Sequence, residues 1–245
     1  MDQWTELLEK QLALDYDCTV EDVRGSKHVF RPIRLHESRR RNGWDGAMFS
    51  AAVYRGKLLV MAEEAMMAWC RERWAGENAA WFSEPDNLRA LDEELRHRGH
   101  KLLDAHHHYI PVPEWAPMPE RFPVRWYEGA ELEQFRGDPR FGQCLLCDES
   151  RPDLLAVCAM EGESILGMAS VTRNCDHLWE IGVDVTEQGR GRGVGTYVTT
   201  LLKDRVLSMG AVPTYATVES HIASQRVAIR SGFMPAFYEV FAGKL

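Results

Sequence analysis

The stretch Val183-Asp184-Val185-Thr186-Glu187-Gln188-Gly189-Arg190-Gly191-Arg192-Gly193-Val194-Gly195-Thr196 carries the reading on which the fold depends. The apolar residues that alternate into it, Trp179, Ile181, Val183 and Val185, have the period of a half-buried strand. Glycine then stands at every second position from 189 to 195. Past the glycines, Val194, Tyr197, Val198, Leu201 and Leu202 recur at the three-and-four spacing of an amphipathic helix. Strand, glycine loop and helix in that order make a phosphate cradle. Residues without Cβ let backbone N–H groups close on an anion, and the helix N-terminus adds about half a positive charge. Arg190 and Arg192 supply further cationic donors.

Two nucleotide patterns fail on this stretch. A Walker loop needs Lys-Ser/Thr after its last glycine, and Val-Gly-Thr follows Gly193. A dinucleotide fingerprint needs glycine at offsets zero, two and five. The fifth offset is Val194 counted from Gly189 and Thr196 counted from Gly191.

The spacing Arg190-x-x-Gly193-x-Gly195 is present, also readable one step earlier as Gln188-x-x-Gly191-x-Gly193. Downstream come a strand, Thr214 to Glu219, and a helix, His221 to Ser231, closed by Gly232-Phe233. Together these resemble the acyl-coenzyme A loop and the following block of the GNAT superfamily of N-acetyltransferases, over roughly residues 123 to 245. The resemblance implies an α/β (α+β) fold with a mixed, mostly antiparallel twisted sheet flanked by helices. It implies acetyl-CoA as co-substrate and transfer of its acetyl group to a primary amine of a small molecule or peptide. The backbone of Val183 and Val185 would pair with pantetheine like an added strand. The amides of Gly189, Arg190, Gly191, Arg192, Gly193, Val194, Gly195 and Thr196 would hold the pyrophosphate. Ser224 matches the family's small residue near the coenzyme. Two positions depart from the family pattern: its asparagine is His221 here, and its thiolate-protonating tyrosine is Ala228.

Composition sets the outer bounds. A chain of 245 residues with 45% hydrophobic and 27% charged content can fill one large or two small globular cores. The net charge of −8 argues against a nucleic-acid footprint. No apolar run approaches the ~20 residues that span a membrane. The segment Met1 to Glu6 lacks the basic and apolar regions of a signal peptide, so a cytoplasmic protein is expected. Six scattered cysteines, Cys144-x-x-Cys147 among them, suit cytosolic thiols rather than a disulfide framework or a zinc site. A homodimer is compatible with the sequence, which sets no symmetry.

The N-terminal half reads as helix (Trp4 to Leu14), a short helix capped at Thr19, and an edge strand (Val29 to Ile33) containing Pro32. A hairpin follows, turning at Arg55-Gly56, then a helix to Trp74, a short strand Ala80-Trp81-Phe82, a helix opened by Pro85, and a strand from Lys101 to Ile110. From Ala62 to Gly99 is 37 positions, as it is from Gly195 to Gly232, and both intervals read helix, short strand, helix, glycine, strand. Two readings stand: a degenerate copy of the C-terminal unit without a glycine loop, or a plain α/β extension. Alternation puts His106 and His108 on one strand face, with no further ligand at metal-binding spacing, so no metal is expected and the pair is a candidate wall of an amine pocket. The proline-rich run from Pro111 to Pro119 is read as a linker, giving domains at 1–119 and 120–245.

Acyl transfer to an amine requires deprotonation of the amine, stabilisation of the thioester oxygen and protonation of the leaving thiolate. Glu180, a carboxylate inside an apolar strand, is the first candidate base, with Asp184 on the same face and His177 at the strand start as reserves. With Ala228 in the family's tyrosine position, Tyr238, Tyr197 or water is left to protonate the thiolate. The alternative function is a non-catalytic acyl-CoA-binding or regulatory module.

Overall fold

The computed structural model describes residues 2–245. In chain order the elements are α1 (Gln3–Asp15), α2 (Val20–Arg24), β1 (Val29–Pro32), β2 (Phe49–Tyr54), β3 (Lys57–Ala62), α3 (Glu64–Trp74), α4 (Pro85–Arg96) and β4 (His100–Pro111). They continue with β5 (Val124–Glu128), β6 (Asp153–Glu161), β7 (Ser164–Arg173), β8 (Leu178–Val185), α5 (Val194–Ser208), β9 (Val212–Thr217), α6 (Ile222–Arg230) and β10 (Phe233–Lys244). The chain forms two compact units. One holds residues 5–108 and 236–245, the other residues 2–4 and 109–235.

The N-terminal unit carries the strand order β1-β3-β2-β10-β4. Local chemistry places its elements where the pattern does. Thr19 and Asp22 form the capping box that starts α2. Arg55 and Gly56, both at positive φ, make the two-residue turn between β2 and β3. β1, with Pro32 at its end, pairs only with β3. One expectation fails: Ala79–Trp81 is a 3₁₀ turn rather than a strand. The Asn78 side chain accepts from the Ala80 N–H at 3.0 Å, which commits the segment to a turn before any ladder can form.

The expected break between Pro119 and Glu120 differs from the compact units in two ways. Residues 109–119 group with the C-terminal unit, where the Trp115 indole lies against Gly232. Residues 236–245 group with the N-terminal unit, because β10 pairs antiparallel with β2 from Phe237↔Tyr54 to Phe241↔Ser50.

The C-terminal unit carries the order β9-β8-β7-β6-β5, antiparallel except for the parallel pair β8–β9. Period-two alternation along β6 divides its core. Leu155, Val157 and Ala159 face α5 and α6, packing with Val194, Val198, Leu202 and Ala228. Ala156, Cys158 and Met160 face the segment 129–147, packing with Leu132, Phe135, Phe141 and Leu145. Pro213, expected just ahead of β9, lies inside it opposite Trp179. The Val212 N–H points to β8, so the donor that Pro213 lacks would have pointed away from that strand.

Candidate functional site

β8 pairs with β7 along its whole length, from Arg173↔Trp179 to Gly167↔Val185. Its pairing with β9 stops at Ile181↔Tyr215. Beyond that point the two parallel strands part. The His177 carbonyl accepts from the Val212 N–H at 2.8 Å, so odd-numbered residues of β8 aim their backbone groups at β9. By alternation the N–H and C=O of Val183 and Val185 open into the gap.

The gap empties onto the glycine loop and the start of α5. A cleft of about 620 Å³ is lined by Val183, Asp184, Val185, Gly189, Arg190, Gly191, Gly193, Val194, Gly195 and Thr196 on one side. Tyr215, His221, Ser224, Arg226, Val227 and Arg230 line it on the other. Two glycines are demanded by the backbone. A Cβ on Gly189 would lie 2.2 Å from the Leu166 carbonyl oxygen, and Gly193, the N-cap of α5, sits at φ +79. The first amides of α5 therefore face the cleft without a capping side chain.

Charge follows the same plan. Arg190, Arg226 and Arg230 line the cleft, and none makes an ion pair among the described residues. In a chain of net charge −8, three uncompensated guanidinium groups around one helix N-terminus make a local anion site. Arg192 is committed elsewhere: its Nη2 lies 2.7 Å from Glu161 Oε1, and its hydrogen bond and charge hold the Glu161 carboxyl below its usual range.

Of the residues expected to serve the coenzyme, all but Arg192 line the cleft. The catalytic candidates separate. Asp184 lines the cleft, and its Oδ2 accepts from the backbone N–H groups of Gln143 and Cys144, both at 2.9 Å. A carboxylate so engaged anchors the wall segment; the Cys144 carbonyl of that segment also accepts from the Ser170 hydroxyl. Glu180 is half-buried and accepts from Asn174 Nδ2 at 3.0 Å. Tyr238 lies in the N-terminal unit, its ring 5.1 Å from that of His107, and does not line the cleft. The Tyr197 hydroxyl donates to the Phe122 carbonyl at 3.2 Å and is likewise absent from the lining. His106 pairs with Asp104 at 2.9 Å, while His108 stacks on Phe237 at 4.3 Å. Burial pushes the Cys144 thiol well above its ordinary value, which disfavours its reactive thiolate.

Sequence reasoning missed two residues. Tyr215, 2% exposed, stands at the point where β8 and β9 part, its hydroxyl 2.9 Å from Ser224 Oγ. Arg121 donates from Nη2 to the Arg192 carbonyl at 3.2 Å, and a Cβ on Gly193 would come within 2.8 Å of its Nη1. No group of three or more His, Cys, Asp and Glu that could hold a metal occurs among the described residues. No helix among them is long and apolar enough to cross a membrane.

Parted parallel strands that empty on a glycine-lined helix start are the defining feature of this site. Residues 114–233 match the model of the acetyltransferase (GNAT) family. No curated protein matches the chain. Among solved structures, a GCN5-related N-acetyltransferase-like protein from Streptococcus suis 89/1591 aligns over 99% of each chain, with TM-score 0.50 and 14% identity. A GNAT-family acetyltransferase from Colwellia psychrerythraea aligns over 100% of this chain and 98% of its own, with TM-score 0.46 and 14% identity. An aminoglycoside N-acetyltransferase in complex with CoA aligns over 46% of this chain and 92% of its own, with TM-score 0.35 and 20% identity.

Proposed function

We propose that the protein is an acyl-CoA-dependent N-acyltransferase, moving an acetyl group from acetyl-CoA to a primary amine of a small molecule or peptide. The observation that carries this reading is the parting of β8 from β9 after Ile181↔Tyr215, directly above the uncapped start of α5. The backbone of Val183 and Val185 supplies pairing groups for the amide-bearing pantetheine arm. The amides from Gly191 to Thr196, with Arg190, Arg226 and Arg230, supply positive charge for the phosphates. Acetyl-CoA brings the activated acyl group. Glu180 is the candidate that takes the amine proton, and the N–H groups of β8 polarise the acyl oxygen.

Calorimetric titration with acetyl-CoA tests the coenzyme site, with Gly191→Asp as the control. Gly191 has φ +73 and nothing within 4 Å of an added Cβ, so the side chain fits, and aspartate tolerates the left-handed region better than most residues. Its carboxylate should abolish binding seen in the parent. Thiol release from acetyl-CoA over a panel of primary amines then tests the reaction, and Glu180→Gln should lower kcat by about 10²-fold. Coenzyme binding with no thiol release over the panel would favour a non-catalytic acyl-CoA-binding module, a role to which the lack of a hydroxyl at Ala228 gives some weight.

A further inference from the structure

The proposed reaction leaves an electron pair on sulfur. When the amine nitrogen bonds to the acyl carbon and the C–S bond breaks, the sulfur departs as a thiolate and must be stabilised until it takes a proton from solvent. On α6 the position that the family resemblance gives to a hydroxyl is Ala228, which is fully buried and has none. The cleft contains another hydroxyl pair instead, on a different element.

We propose that the Tyr215 hydroxyl, oriented by Ser224, donates the hydrogen bond that holds the coenzyme thiolate. Four observations converge on Tyr215. It is the one tyrosine in the cleft lining. It sits at the last paired residue of β9, opposite Ile181, where a chain running up the gap along Val185 and Val183 arrives. Its ring is fixed on both sides, at 6.4 Å from Tyr109 and 5.9 Å from Phe233, so the hydroxyl has little freedom. Ser224, one turn before Ala228 on α6, lies 2.9 Å from Tyr215 Oη and itself lines the cleft. With Ser224 donating to Oη, the phenolic proton is directed away from the serine and is free for a ligand atom. Burial pushes the phenol up to about 12, so it keeps its proton throughout the working range and acts as a donor rather than as an anion. The phenol thus stabilises the thiolate by its dipole, and the sulfur's final proton comes from water. No charge is left on Tyr215.

This inference rests on the coenzyme reading and has its own readout, which needs no acceptor amine. The bound thiol of CoA is titrated by the ultraviolet absorption of its thiolate, in the parent, in Tyr215→Phe and in Ser224→Ala. A hydrogen bond given to the charged form lowers a pKa, so the thiol should titrate about one unit lower in the parent than in Tyr215→Phe. Ser224→Ala should give a smaller shift in the same direction. Asp184, Arg190, His221, Arg226 and Arg230 also face the cleft, but they are common to parent and variant, so the difference isolates the hydroxyl. Phenylalanine keeps the ring packing, and unchanged calorimetric affinity for CoA at neutral pH confirms an intact site. If CoA binds and the two thiols titrate together, the role of Tyr215 is overturned and the coenzyme reading stands. If the parent does not bind CoA, both fall.

Discussion

Arg121 is a cation at the wrong end of a helix. Its guanidinium lies over Gly193, the N-cap of α5, where the helix already presents positive charge. Such a placement is unfavourable in the free protein and becomes favourable once an anion sits between helix and arginine. Arg121→Ala should therefore leave the free protein no less stable in urea while weakening acetyl-CoA about two- to fivefold by calorimetry, with the loss shrinking at high salt. Arg121→Lys should recover part of it. Equal affinities in all three proteins would remove Arg121 from the site. The contrast with the glycine loop explains what a sequence can show. Gly189 to Thr196 is one contiguous run, and its place between a strand and a helix was legible. Arg121 reaches Arg192 across 71 positions, and Tyr215 meets Ser224 between a strand and a helix, so no local pattern marks either. Asp184 fails in the opposite way. Alternation places it correctly on the face of Glu180, but the two amides it holds arrive from residues 143 and 144, which only the folded chain brings there.

Among the elements, those marked by a strong period, a cap or a turn were readable, and one short segment was not. β8 and the helices α5 and α6 stand where periodicity, glycine and capping place them, whereas three residues at 79–81 are decided by one asparagine side chain. The N-terminal unit shares with its counterpart a helix pair, a glycine at positive φ (Gly99 and Gly232) and a following strand, but has a 3₁₀ turn at Ala79–Trp81 where the counterpart has β9. It has no second cradle: β3 runs into α3 with only Glu63 between them, and Glu63 and Glu64 set two carboxylates where an anion would have to bind. What β10 brings to this unit is Glu239. Buried at 2% exposure, it accepts from Arg40 Nη2 at 2.7 Å and from the Tyr16 hydroxyl at 2.9 Å, with His108 Nε2 3.4 Å from its other oxygen. Burial alone would push this carboxyl up; the charges of Arg40 and His108 outweigh it and hold the group well below its ordinary value. A depressed carboxyl gives stability that is complete above the unfolded value near 4.3 and drains away as pH falls toward the folded one. Glu239→Gln should cost about 3 kcal/mol at pH 7, and the gap to the parent in urea midpoints should narrow from about pH 5 to pH 3. A gap independent of pH would refute the charge assignment.

At the scale of the whole molecule, the compact units divide elsewhere than at the proline-rich run from Pro111 to Pro119. Composition marks a change of chain stiffness, but membership of a compact unit is set by which strands pair, and the last ten residues pair backward. Ending the chain after Pro235 should then unfold the N-terminal unit, although nothing before residue 108 is altered. Hydrogen exchange can check this: amides of β2 and β3 should lose protection in the shortened chain, while those of β6 and β7 keep it. Protection retained in β2 would show that β10 is dispensable there.

The return of β10 also has a consequence in time. During synthesis, residues 5–108 leave the ribosome long before residues 236–245 exist. At ~5–20 residues per second the interval is roughly 6 to 26 seconds, during which the β2 edge has no partner from residues 236–245. The C-terminal unit, whose segments lie almost wholly between 109 and 235, can complete itself first. The half of the protein made first is then the half finished last, and its open strand is the surface a chaperone would have to guard.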